Sequence, residues 1–117
     1  MPTERTADLL ISAFKDEMST RRKYELKDKS GNVLSVLYFP PVTRFDRQKA
    51  QSLAGSDEGL VVSTQLLCQT AQKEDGSSAF DMSDAKILQR SLPEKVLNEL
   101  ELFMMDVQVD IEKAKND

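Results

Sequence analysis

Residues 60–100 read LVVSTQLLCQTAQKEDGSSAFDMSDAKILQRSLPEKVLNEL, and this stretch decides the fold. Leu60, Val61, Thr64, Leu67, Cys68 and Ala71 recur at i, i+1, i+4, i+7, i+8 and i+11. This is the clearest helical period in the chain and predicts a central core helix. Ser56 is placed to cap it, with Asp57 and Glu58 in its first turn. The run Lys73-Glu74-Asp75-Gly76-Ser77 then breaks it with a turn. Phe80 is the one large apolar residue between Ala71 and Met82, so it should plug back onto the core. Ser83 and Asp84 begin a short helix to about Arg90. Ser91-Leu92-Pro93-Glu94 matches a capping box, with Ser at the N-cap, Pro in the first turn and Glu at N3.

Working outward toward the C-terminus, the last helix is predicted to run to about Lys113. Leu92, Val96, Leu100, Phe103, Val107 and Ile111 form one stripe, which Leu97, Met104 and Met105 widen. Three large apolar residues in a row, Phe103-Met104-Met105, are more than one core-facing stripe requires. Methionine also suits adaptable binding surfaces. The stripe reads either as internal core or as a partner face; as candidate partner-binding residues it supplies Phe103, Met104, Met105, Val107 and Ile111.

Toward the N-terminus, Ala7, Leu10, Ile11, Phe14 and Met18 fall at helical spacing, which predicts a helix over Thr6–Met18 capped by Thr6. Arg22–Leu26 and Val33–Phe39 read as two strands around a turn at Asp28–Asn32, where Gly31 and Asn32 tolerate positive φ. A lone hairpin is marginal in water, so it must pack on helices or gain a strand from another chain. Thr43, with Asp46 three residues later, opens a helix that ends near Ala54 before Gly55. Phe45, Ala50 and Leu53 give it a thin apolar stripe, and Arg44, Arg47 and Lys49 line the remainder. Arg44 and Arg47 join the candidate partner-binding residues. The sequence thus predicts an α+β fold, mainly α: an N-terminal helix, a small β-hairpin, then about four helices with a long C-terminal one. One domain spans residues 1–117, with a hairpin subregion at about 20–40 and a helical part at 43–115.

The chemistry this chain can offer is narrow. It has no His, which removes the commonest neutral-pH general base and most zinc sites. Its single Cys68 can form neither an internal disulfide nor a cysteine cluster, and inside an apolar helix it reads as a buried, inert thiol. Glu74-Asp75 and Glu99 with Glu101 pair carboxylates, but the segment from Glu74 to Met82 lacks the alternating oxygen ligands of a calcium loop. Four scattered glycines form no phosphate cradle. No catalytic, cofactor or metal site is expected, and no enzyme. The start MPTERTADLL carries no apolar signal core, and no run approaches a membrane span, so a cytoplasmic protein is expected.

Charge is distributed unevenly. Residues 1–50 carry ten Lys/Arg against seven Asp/Glu, and residues 51–117 carry six against thirteen. A basic front and an acidic back suit head-to-tail self-association, or are an uneven solvated surface. Arg21-Arg22-Lys23 is the one basic run, and an acidic chain with no recognisable module makes a weak nucleic-acid binder.

In order along the chain, the ADLL helix, the extended segments Lys23–Leu26 and Val33–Phe39, Pro-Val-Thr-Arg-Phe-Asp-Arg at 41–47, the Leu60–Ala71 helix, Glu74-Asp75-Gly76 before Phe80, and Leu88, Leu92-Pro93, Val96-Leu97 and Leu100 resemble the tail assembly chaperones of long-tailed bacteriophages. Lys73, where that family often has an acidic residue, and Pro40-Pro41 depart from the pattern. The resemblance implies a non-enzymatic protein of the host cytoplasm that keeps the tape measure protein soluble, helps recruit the tail tube protein, and forms a homo-oligomer, without nucleic-acid or membrane partners. Two other readings stay open: a small regulatory or nucleic-acid-binding protein using the basic front, and a structural adaptor of the virion.

Overall fold

The computed structural model describes residues 5–106. Its elements are α1 (Thr6–Ala13), α2 (Lys15–Met18), β1 (Arg22–Lys27), β2 (Val33–Phe39), α3 (Arg44–Ala54), α4 (Gly59–Thr70), α5 (Asp84–Ser91) and α6 (Glu94–Met104). The α+β, mainly α class and the four helices after the hairpin agree with the sequence reading.

The core is built around α4. Val62, Leu66, Leu67 and Cys68 are buried, and so are Thr64, Gln65 and Thr70. That is burial nearly all round rather than along one stripe, as a helix enclosed by neighbours requires. Leu60 departs from the predicted core set: it is 64% exposed, because it lines an open depression between α4, α5 and α6. Ser56 does not cap this helix. Glu58 holds the N-cap position, and the Ser56 hydroxyl instead accepts a hydrogen bond from the Glu58 N–H at 3.1 Å.

β1 and β2 pair antiparallel from Arg22 with Phe39 to Lys27 with Val33, with an irregularity after Leu26. The Asp28 carboxylate accepts from the N–H groups of Ser30 and Asn32, and Gly31 sits at φ +88°, a conformation that favours glycine. The far half of β2 packs on the helices through buried Leu37 and Phe39. Its free edge is taken within the same chain: Tyr38 and Gln72 exchange both backbone hydrogen bonds, at 2.8 and 2.9 Å. Gln72 also bridges to Ser78 across the predicted 73–77 turn, and Phe80 packs against the core as expected.

At α3 the capping box forms. Thr43 Oγ1 accepts from the Asp46 N–H at 3.1 Å, and the Asp46 carboxylate accepts from the Thr43 N–H at 3.0 Å. Gly55 closes the helix in the left-handed region at φ +66°. The thin stripe does not enter the core as a unit. Ala50 is buried, Leu53 is exposed and Phe45 is 72% exposed.

Three terminal details correct the sequence reading. The first helix is interrupted at Phe14 (φ −107°, ψ 10°), and Arg5, not Thr6, stands at its N-cap. Ser91 does not cap the last helix, because α5 runs through it and Leu92 N–H bonds to Leu88 O; Pro93, in an extended conformation, takes the N-cap place. Helix α6 ends at Met104, and Asp106 turns to φ +58°, where a right-handed helix does not continue; the predicted stretch from 107 to Lys113 lies outside the described residues.

No residue of α1 or α2 is buried, and Leu9, Leu10, Ile11, Phe14 and Met18 are exposed. The N-terminal segment is therefore an arm outside the core. Leu67→Ala should cost about 2–5 kcal/mol in urea unfolding, while Leu10→Ala should stay within about 0.5 kcal/mol of wild type. Comparable losses would mean that the arm is packed.

Candidate partner-binding surfaces

The C-terminus of α6 is where the hairpin and the helices meet. Phe103 packs against Tyr24 (ring centroids 4.9 Å apart) and edge-on against Phe39 (5.6 Å). The Arg22 guanidinium lies over the same ring, 4.4 Å from its centre. Arg22 Nη2 donates to the carbonyl oxygens of Phe103 and Met104, and Nη1 lies 3.6 Å from the Asp106 carboxylate. A cation at the negative end of a helix satisfies carbonyls that have no intrahelical partner. The chain turns at Asp106 beside this cap. Burial, with Glu99 nearby, pushes the Tyr24 phenol above its ordinary pKa.

Beside this junction opens a cleft of about 590 Å³. The end of the arm (Glu17, Met18, Thr20) forms one wall, the 41–44 loop and Arg47 of α3 another, and Met104–Asp106 the base. The structure therefore brings together four of the sequence-predicted partner residues, Arg44, Arg47, Met104 and Met105. Arg44 and Arg47 are exposed. Phe103 lies behind the cleft, in the aromatic cluster. Met104 is 1% exposed, and Phe103 and Met105 are half-buried against the core. The triplet is thus core rather than an open face, because the hairpin wraps the end of α6. Val107 and Ile111 lie outside the described residues.

A second depression, about 350 Å³, lies between α4, α5 and α6. Leu60 and Leu92 stand on its rim and Glu101 at its base. The Glu101 carboxylate accepts a 2.8 Å hydrogen bond from Thr64 Oγ1, deep in the protein. Burial raises the pKa of Glu101, and the Thr64 bond opposes that rise. Nearby Cys68 is fully buried; that burial, then Asp84 and Glu101, pushes its thiol up to about 12. The sequence reading passed over this groove. Its signal was present: Glu101 follows Leu97 by four residues and so shares the apolar side of α6.

The basic run is engaged internally. Arg21 donates to Gln72 Oε1 and to the carbonyls of Lys73 and Glu74, and stacks 4.8 Å from the Tyr38 ring centre. With Arg22 at the cap, Lys23 is the remaining member of the run. Among the described residues, no group of three or more His, Cys, Asp or Glu side chains is placed to hold a metal ion, and no helix is long and apolar enough to cross a membrane.

No protein-family model and no curated protein sequence matches this chain. Among solved structures, the tail assembly chaperone of bacteriophage HK97 is similar, with a TM-score of 0.50 over 86% of this chain and 97% of that one, at 11% identity. At that identity the likeness is one of fold.

Two outcomes follow from the junction and the groove. Arg22→Ala should destabilise the protein by about 1–3 kcal/mol, because two buried-end carbonyls lose a charged donor, with Arg22→Lys recovering part of the loss. A loss below about 0.5 kcal/mol would show that water replaces the cap. Glu101, with its pKa raised in the folded state, binds its proton more tightly folded than unfolded. Wild-type stability should therefore fall relative to Glu101→Gln as pH rises from the ordinary carboxylate range through the raised value, and level off above it. Unfolding curves that stay parallel across that range would contradict this.

Proposed function

We infer that this chain is a phage tail assembly chaperone. In this reading it binds the tape measure protein and keeps it soluble, helps recruit tail tube subunits, and works in the host cytoplasm without catalysis, through protein contacts and self-association. The observation that carries the reading is the N-terminal arm. Leu10 and Ile11 on α1, and Phe14 at the break after it, stand exposed outside the core, beside a cleft lined by methionines and arginines. Apolar helical surface of this kind marks a partner site, and an amphipathic helix is a partner that fits it. The fold shared with the HK97 protein supports choosing a chaperone among the protein-binding readings. The internal engagement of Arg21 and Arg22 weighs against nucleic-acid binding by that run.

Co-expression with a phage tape measure protein tests the reading. The tape measure protein should become soluble and elute in complex with this chain. Replacing Leu10, Ile11 and Phe14 together by Asp should lower its soluble yield at least about fivefold while leaving the unfolding midpoint of this chain unchanged. Tape measure protein that is no more soluble with the chain than without it would overturn the proposal.

A further inference from the structure

Two surfaces on opposite sides of α4 have complementary chemistry. On α3, Phe45 and Lys49 are both exposed and one turn apart. At about 100° per residue they lie on one face, roughly 100–140° around the helix from the buried Ala50, and so project away from α4. On the other side is the groove rimmed by Leu60 and Leu92. Its charged residues are Glu94 and Glu101, and no basic residue lines it. Among the described residues Glu101 forms no ion pair; its carboxylate is held by Thr64.

The spacing also corresponds. Leu60 stands one turn before Thr64, whose hydroxyl lies 3.1 Å from the Leu60 carbonyl and 2.8 Å from Glu101. An apolar rim and an acidic base one turn apart face a plug with an aromatic ring and an ammonium one turn apart. We propose that the groove receives α3 of a second copy of this chain, with Phe45 between Leu60 and Leu92 and Lys49 against Glu101 and Glu94. The proposal rests on the self-association part of the chaperone reading and gives it a location. A second copy's arm is a poorer occupant, because Asp8, Asp16 and Glu17 outnumber Arg5 and Lys15 there and would meet an acidic base.

The placement of the two surfaces fixes the kind of contact. Gly59, Val62, Ser63 and Leu66 of α4 line a crevice shared with Arg47 and Gln51 of α3. Leu60, Val61 and Thr64 face the groove. The centres of these two sets lie about 150° apart around α4. A copy that fills its neighbour's groove therefore keeps its own groove open, and the contact is heterologous, adding copies in one direction.

The test uses the full chain with Phe45→Asp and Leu60→Asp, both at strongly exposed positions where folding should persist, checked by circular dichroism. In light scattering after size exclusion, the wild-type mass should rise at least twofold with concentration, and each variant alone should remain a monomer. An equimolar mixture of the two should give a dimer and nothing larger, because one variant keeps its groove and the other its plug. Lys49→Glu should weaken association at least about tenfold, and raised salt should weaken the wild type. Monomeric wild type at every concentration, variants that associate like wild type, or a mixture that stays monomeric would overturn the proposal. Should the tape measure protein still be kept soluble in any of those cases, the chaperone reading stands and this contact alone fails.

Discussion

A helix enclosed along most of its surface has to satisfy its polar side chains largely through its neighbours, and α4 reaches three of them, although Gln69 Oε1 stays buried without a partner. Gln69 Nε2 donates to the Asp46 carbonyl of α3 at 3.0 Å. Gln65 Nε2 reaches the Met82 carbonyl just before α5 at 3.3 Å, and Thr64 bonds to Glu101 of α6. Thr70 turns back to the Leu66 carbonyl of its own helix. Buried polar groups cost stability unless paired, so each of these bonds narrows where a neighbouring helix can sit. The apolar residues of α4 supply most of the burial, while its polar residues fix the register of what surrounds it. The position of the groove follows from this, since the Thr64–Glu101 bond brings a carboxylate to its base.

Local signals were legible where their partners lie within a few residues. The Thr43–Asp46 box, Gly31 and Gly55 are decided by short-range geometry and appear in the structure as read, and the period of 60–71 marks the helix itself although Leu60 is not part of its buried side. Signals that needed the path of a distant segment were not legible. Ser91 had the right neighbours for a cap, yet α5 continues through it, with Leu92 N–H closing on the Leu88 carbonyl. The end of α6 is capped by Arg22, about eighty residues upstream, and no local signal near Met104 announces that partner. The pairing of Gln72 with Tyr38 likewise joins two segments that carry no mutual sequence mark.

The candidate surfaces show the same division. Phe103-Met104-Met105 stood out because three large apolar residues in succession exceed one stripe. The excess is real, but the hairpin absorbs it: Phe103 fits between two aromatic rings, Met104 goes inside and Met105 reaches the cleft. Periodicity identified the apolar residues of the arm correctly and could not say that their face would stay uncovered. A helical repeat records which residues share a side, whereas the choice between core and solvent depends on whether the rest of the chain has surface left to offer. Here α4 is already enclosed by α3, α5, α6 and the hairpin.

The thiol of Cys68 has a kinetic consequence. With its pKa near 12, only about one molecule in 10⁵ carries the reactive thiolate at neutral pH, and that sulfur is sealed inside α4. Thiol-specific reagents therefore meet almost no thiolate while the fold is closed. The chain carries no other cysteine, so thiol labelling that occurs reports the openings that uncover its central helix. The molecule thus contains its own clock for local unfolding, readable without adding a probe or altering a residue.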